Sequence, residues 1–592
     1  MLQRKSVLMI IVLVPVILLS VAIAPTKANT GNQSTPEVII SFQEAGSVAD
    51  DEAASLSMAE EPESPVVVDG GGDADQYPPM PLPQWSPPRD ENFVGNGMVM
   101  YDVAAGRELD LGQQDSMGLP GLPADAVDGS PSPGDAEPEG PEPREFSSLT
   151  RVAAPASHPW SVNVRMLVDW PNGARSGCSG TLVDPRWVVT AGHCIFSDSD
   201  GGWATGVRVV PAYSNGNEPF GAALAVHLFS WSGWTDNGDW EWDIAHIRLN
   251  QPIGALTGWH GYGYNSSDSF FEDNTFHNPG YPGEGPYNFE HMYYWYGDYD
   301  DTDSHIVRHN DLSYGGQSGS GAYHLSGSNR YIYGVLSHGT STWTGHTRIT
   351  DDKFDYIRDT VVSGTPATAD MIPLAVRTTP SSLTAGDRPS SLTFLIHNYA
   401  SVSFNGSFTV RLYLSSNNDI STSDRLLGTA QYSGQLGAKQ TARITTSTLP
   451  VIPLDEEGNQ WLGVIVLVAD HDTSNNDTDG WDASPIAIRP YVPDTPINVR
   501  ASNATSPHKV TINWSAAARA TSYEVYRATS AAGTKTRVGT TAQLQLEDRG
   551  GVPGIPYYYF VRAVAVNGRA SGYSQPAIGR RSFFYTIPVI LE

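Results

Sequence analysis

The chain has 592 residues, with 35 Lys+Arg against 64 Asp+Glu and a formal net charge of −29. A length well beyond about 250–300 residues favours several domains over one hydrophobic core. An acidic balance with few cations excludes a general nucleic-acid surface, so no nucleic acid is expected as a partner.

The N-terminus reads MLQRKSVLMIIVLVPVILLSVAIAPTKANT. Arg4 and Lys5 precede an apolar run from Val7 to Ala24, and small residues follow. That order is the layout of a secretory signal peptide, assigned to residues 1–28, with cleavage at Thr26-Lys27-Ala28. An uncleaved anchor is the competing reading, because the run approaches the length of a short spanning helix. Pro15 and the small-residue end favour export, so the expected location is secreted, with cell-surface association left open.

Residues 29–151 are rich in Pro, Gly, Asp and Glu, as in YPPMPLPQWSPP and DGSPSPGDAEPEGPEPREF. Between Asn29 and Thr150 stand 24 acidic and three basic residues, which account for most of the net charge. Such a tract buries too little apolar surface to offset its ordering entropy. It is expected to be an acidic, disordered pro-segment of a zymogen, released by a cut near Arg151–Val152.

From Val152 short apolar alternations such as WSVNVRMLV, GTLVDPRWVVTAG and GVRVVPAY are separated by Gly, Asn, Asp and Pro clusters. This predicts an all-β domain over residues 152–364. After the linker SGTPATADMIP, residues 372–490 alternate Thr, Ser and Val between turn residues, the pattern of a β-sandwich. A last β unit covers 494–582, and the chain ends in the apolar FFYTIPVILE.

Cys178 and Cys194 are the only cysteines. An even pair in an exported chain points to one disulfide. Closing a loop of about 15 residues contributes roughly 3 kcal/mol in the chain-entropy picture. Spacing and ligand count exclude a CxxC redox or zinc site. YGDYDDTDSH (Tyr296 to His305) and DHDTSNND (Asp470 to Asp477) lack EF-hand spacing and read as solvated turns. No metal or cofactor is expected.

Three stretches of the 152–364 block carry chemistry. GCSGTLVDPRWVVTAGHC brings in His193, DWEWDIAHIRLN brings in Asp243, and DLSYGGQSGSGAYH brings in Ser318. A serine hydroxyl needs an adjacent base to attack an acyl carbon, and imidazole titrates in the right range. The imidazole needs a buried carboxylate, and the developing oxyanion needs fixed N–H donors. His193, Asp243 and Ser318 can supply the first three, and the glycine-rich turn can supply the donors. Asp239 and Glu241 compete with Asp243, but only Asp243 leads into the apolar Ile244-Ala245. Ser320 competes with Ser318, and the Gly-x-Ser-Gly pattern selects Ser318.

These motifs, in this order, make the block resemble a trypsin/chymotrypsin-fold serine endopeptidase. WVVTAGHC is similar to the family's histidine motif, DIAHIRL to its aspartate motif and GQSGSG to its serine motif, while Cys178–Cys194 matches the disulfide of the histidine loop. The resemblance implies a double β-barrel, with His193 as base, Asp243 as its orienter, Ser318 as nucleophile, and the N–H groups of Gly316 and Ser318 as oxyanion hole. YGVLSHG is similar to the strand lining the substrate cleft, where Ser337 would hydrogen-bond Asp243. Gln317 stands where digestive members carry Asp, which places the chain nearer the bacterial glutamyl-endopeptidase (V8-like) branch, and Gly321 replaces a usual proline. The implied substrate pocket comprises Leu312 at its base, Ser313, Leu336, Ser337, His338 and Gly339. Leu312 argues against Lys/Arg specificity, and Glu specificity would require His338 to turn inward.

Two further resemblances follow. FTVRLYLSSNNDISTSDRLLG and VLVADHDTSNND resemble CARDB modules over 372–490. Trp514 followed by Tyr523-Glu524-Val525-Tyr526-Arg527 and a Tyr-rich strand resembles a fibronectin type III domain over 494–582. The expected function is a secreted, monomeric endopeptidase acting on polypeptide substrates. Its C-terminal modules would bind a matrix, cell-surface or carbohydrate partner. The alternative is a catalytically silent adhesion protein that uses the protease fold as a scaffold.

Overall fold

The computed structural model describes residues 36–44, 78–84, 86–90, 93, 97–112, 149–327 and 329–583. The signal-peptide reading of 1–28 and the end of the apolar C-terminal tail lie outside them. The chain forms two compact units, one containing Asp69–Gly364 and the other containing Ser34–Val68 and Thr365–Glu592. Strands dominate both, as an all-β reading requires, and among the described residues no helix is long and apolar enough to cross a membrane.

The first unit has two sheets. In one, Gly206–Pro211, Asn163–Asp169, Arg175–Asp184, Trp187–Thr190, Ala245–Leu249 and Ala223–Trp231 pair in that order. Arg208↔Leu224 and Val209↔Ala223 pair the ends, so these six strands close into a barrel. Asn163–Asp169 is buried on both faces, which is why NVRMLVD lacks a clean alternation. Even Arg165 is fully buried, its guanidinium 4.1 Å from the Tyr213 ring and 4.4 Å from that of Phe289. The second sheet is built around Ile306–His309, Thr344–Arg348, Asn329–Gly339, Gly321–Ser326, Phe276–Gly280 and Tyr293–Gly297. Its core is aromatic, with Phe271, Phe276, Trp295, Tyr299 and Tyr333 packed together.

The second unit contains a sandwich of a six-stranded and a four-stranded sheet around Phe394, Ile396, Val410, Leu412 and Val464. It also contains a smaller sandwich of three and four strands around Trp514, Tyr523, Val525, Tyr559 and Val561.

Disorder throughout 29–151 is corrected at three places. Glu37–Ser41 joins the four-stranded sheet of the second unit, parallel to Thr441–Thr448, with Ile40 and Phe42 in the core. Residues 78–84 and 86–90 lie on the first unit. Met98–Asp102 and Arg107–Gly112 form a hairpin that extends the first barrel sheet at Ala223–Trp231. The cause is long-range pairing: each short apolar run is too small to bury itself, but it fits an existing sheet edge.

Candidate active site

His193 lies in the tight turn Gly192–Cys194 that follows strand Trp187–Thr190. Gly192 is needed there, because a Cβ would sit 2.8 Å from Trp234 and 3.0 Å from Asp243 Oδ1. The next residue, Cys194, is bonded to Cys178 with Cα atoms 6.1 Å apart, which ties the histidine turn to strand Arg175–Asp184.

Asp243 follows the short turn Trp240–Trp242 and precedes strand Ala245–Leu249. Its side chain is fully buried, with Oδ1 accepting from His193 N–H at 2.7 Å and Oδ2 lying 2.8 Å from His193 Nδ1. Ser337 Oγ donates to Oδ2 at 2.5 Å. Burial opposes the negative charge, but the electrostatic pull of the His193 ring and the bonds from His193 and Ser337 outweigh it, so the carboxyl is held below its ordinary pKa. The competing carboxylates are engaged elsewhere: Asp239 accepts from Glu241 N–H, and Glu241 pairs with His305 at 3.1 Å.

Ser318 sits in the turn between Ile306–His309 and Gly321–Ser326. Gly316 and Gly319 have φ of +92° and +88°, a region that side chains disfavour. At Gly319 a Cβ would also meet Thr190 Oγ1 at 2.1 Å and Ser179 O at 2.2 Å. The turn is pinned by three bonds. Ser179 N–H donates to Ser318 O at 2.8 Å, Ser179 Oγ to Gly316 O at 2.8 Å, and Gly319 N–H to Leu336 O at 2.8 Å. Sequence reasoning missed Ser179, because its role depends on a strand register that no local motif encodes. Ser320 is committed structurally, donating to Asn278 Oδ1 at 3.1 Å. Ser318 Oγ and His193 Nε2 are both buried, and neither has a hydrogen-bond partner.

The two departures from the family pattern have local uses. Gln317 Oε1 accepts from Tyr314 N–H at 2.9 Å, closing its own loop. Gly321 N–H donates to Thr181 Oγ1 at 3.1 Å, a bond proline cannot make.

Of the pocket residues, Leu336, Ser337 and His338 are buried, while Leu312, expected at the pocket base, is exposed at 36%. Ser313 N–H is held by Thr344 Oγ1 at 3.0 Å. The His338 ring packs between Trp240 (4.7 Å) and Trp343 (5.5 Å). Burial pulls its pKa down to about 4, so the ring is neutral near pH 7. Cys178, His193 and Cys194 are close enough to share an ion, but both sulfurs are in the disulfide and have no thiolate to offer.

Residues 149–352 match the Trypsin family model. Over 211 residues the chain is 30% identical to the "Extracellular metalloprotease" of Bacillus subtilis, covering 35% of this chain and 66% of that protein. Over 214 residues it is 29% identical to the "Glutamyl endopeptidase" of Bacillus licheniformis, covering 35% and 65% respectively. The chain thus spans just under two thirds of the length of these relatives. A solved Glu endopeptidase superposes on 36% of this chain and 95% of its own, at 22% identity and a TM-score of 0.32. With its two sheets and the disulfide beside the histidine turn, the block 149–352 matches the Trypsin family model and is similar to these peptidases.

Proposed function

We propose that the chain is a secreted serine endopeptidase in which Ser318, His193 and Asp243 cleave polypeptides through an acyl-enzyme. The observation that carries this reading is the buried relay Ser337–Asp243–His193, which leaves His193 Nε2 as the ring's one uncommitted nitrogen. Asp243 fixes the proton on Nδ1, so Nε2 can accept the Ser318 proton as Oγ attacks the scissile carbonyl. The oxyanion then falls to the N–H groups of Gly316 and Ser318, and His193 returns the proton to the departing amine. No cofactor enters this scheme.

Specificity on this reading is for an uncharged residue, because no cation or carboxylate among Leu312, Ser313, Leu336, Ser337, His338 and Gly339 selects a charged partner. The glutamyl-endopeptidase relative supports placement near the V8-like branch, but the neutral, tryptophan-packed His338 is a poor partner for glutamate. The domain plan is a signal peptide (1–28), a pro-segment (29–151), the protease (152–364), a CARDB-like module (372–490) and a fibronectin type III module (494–582). The last two would act as binding modules for a matrix, cell-surface or carbohydrate partner of a monomeric enzyme.

The adhesion-scaffold alternative draws on one observation, the missing hydrogen bond between Ser318 Oγ and His193 Nε2. A fluorophosphonate probe separates the readings. With the pro-segment removed, wild type takes the label and Ser318→Ala does not; an unlabelled wild type overturns the endopeptidase reading. A peptide-library profile of the same material then gives the preferred side chain.

A further inference from the structure

Residues 78–84 and 86–90 run along the candidate active site and touch residues from both sheets of the first unit. Beside the disulfide, Gly177 N–H donates to Pro78 O at 2.7 Å and Met80 N–H donates to Gly177 O at 2.8 Å. The next contact is at the serine turn, where Gly316 N–H donates to Met80 O at 2.8 Å. This is the donor assigned above to the oxyanion. At the end of the cleft strand, Gly339 N–H donates to Pro83 O at 3.0 Å. Trp240 Nε1 then donates to Ser86 O at 2.8 Å. The far end is clamped, with Asn237 bonded in both directions to Asp90 and Arg89 ion-paired with Asp198. Met80, Pro81 and Pro83 line the same groove as His193.

The sequence suits this role. Four of the seven residues Pro78–Gln84 are proline, so the segment is already extended and loses little entropy on docking. Prolines offer carbonyls but no N–H, and three of the partners are glycine N–H groups at positions where a side chain would intrude. A Cβ at Gly339 would lie 2.9 Å from Leu82 Cδ2, and one at Gly283 would lie 2.4 Å from Pro79 Cβ.

The segment is poorly arranged for cleavage. The bond next to the captured carbonyl is Met80–Pro81, so attack by Ser318 would have to expel the ring nitrogen of Pro81. That nitrogen would stay in place, because the chain beyond it is held by Gly339, Trp240 and Asn237. A retained amine re-forms the bond faster than water replaces it.

We propose that residues 78–90 are an inhibitory strap, and that a cut near Arg151–Val152 does not by itself free the groove. The inference rests on reading Ser318 as the nucleophile. After that cut the strap remains joined to the 98–112 hairpin. The hairpin is held by the strand ladder from Met98↔Trp231 to Asp102↔His227 and by the bond from Trp203 Nε1 to Glu108. A second cut or a competing peptide would be needed to expose Gly316.

The test compares fluorophosphonate labelling rates of the full chain in wild type, L82D/R89D and S318A, each before and after scission at Arg151–Val152. The double variant places carboxylates against Gly339 and Asp198, so it should label on the order of tenfold faster than wild type in both states. A synthetic peptide of residues 78–90 should slow it again, which also shows that its groove is folded. Arg89→Ala, which touches only the far clamp, should give a smaller rise. Equal rates in wild type and the double variant, or no effect of the peptide, overturn the strap and leave the endopeptidase reading standing. No labelling of any form, even after the whole 1–151 segment is removed, overturns the endopeptidase reading and the strap with it.

Discussion

Ser337 places one hydroxyl between two partners. It donates to Asp243 Oδ2 at 2.5 Å, and its oxygen lies 2.8 Å from His338 Nδ1. Since the neutral His338 can donate from Nδ1, both bonds are met at once. Replacing Ser337 by alanine would leave a buried carboxylate oxygen short of a donor, at a cost of about 1.5–3 kcal/mol. The expected result is a fall in kcat of roughly tenfold or more with little change in KM, partly rescued by Ser337→Thr. Unchanged kcat would mean that Ser337 only fills space. At this scale the candidate residues were legible as local patterns. His193, Asp243, Ser318 and Ser337 sit in short local motifs, and the neighbours that discriminate between candidate residues are adjacent in the chain. Ser179 and Met80 were not legible, because their bonds are to the backbone of distant turns.

Among the elements, the hairpin of Met98–Asp102 and Arg107–Gly112 shows where composition misleads. MVMYDV and RELDLG are strand-like runs, but they lie within an acidic, proline-rich tract whose average composition argues for disorder. They become strands because Ala223–Trp231 offers a free edge, and Tyr101 stacks on Trp203 at 5.6 Å. The proline run YPPMPLPQWSPP also falls in the tract expected to be disordered, although its stiffness suits a groove ligand. After scission near Arg151–Val152, the N-terminal fragment should co-elute with the protease in gel filtration and separate only in denaturant. Free separation in native buffer would show that the hairpin holds nothing.

At the scale of the whole molecule, the first unit concentrates buried imidazoles. His246 and His309 are held at a pKa of about 3 by burial, His338 at about 4, and His260 and His346 well below the ordinary value. Folded, these rings stay neutral; unfolded, each takes a proton below about pH 6.5. The unfolded state therefore binds more protons between about pH 6.5 and pH 3. The stability of the first unit should fall as pH drops through that window and should not depend on these groups above it. Depressed Asp243 adds a loss at still lower pH, as pH falls through its folded value. Calorimetry at pH 7, 5.5 and 4 should show the transition of the first unit moving down. The transition of the second unit, which holds none of these five residues, should move less. Parallel shifts would contradict this assignment. The β class was readable from the sequence, since it rests on short-range alternation. That residues 29–151 divide between two units was not, because the pairing of Glu37 with Arg443 spans most of the chain.

That pairing changes what the released segment would be. A fragment ending at Arg151 carries a strand for the sandwich at 37–41 and a strap and hairpin for the protease at 78–112. It would be a bivalent ligand, with two docking sequences on one tether. Loss of one grip leaves the other at high local concentration, so release would be governed by avidity rather than by either contact alone. A cut anywhere between Glu44 and Pro78 would turn one bivalent ligand into two monovalent ones. If the acidic N-terminal tract is a pro-segment, the number of cuts it must receive would set the timing of activation.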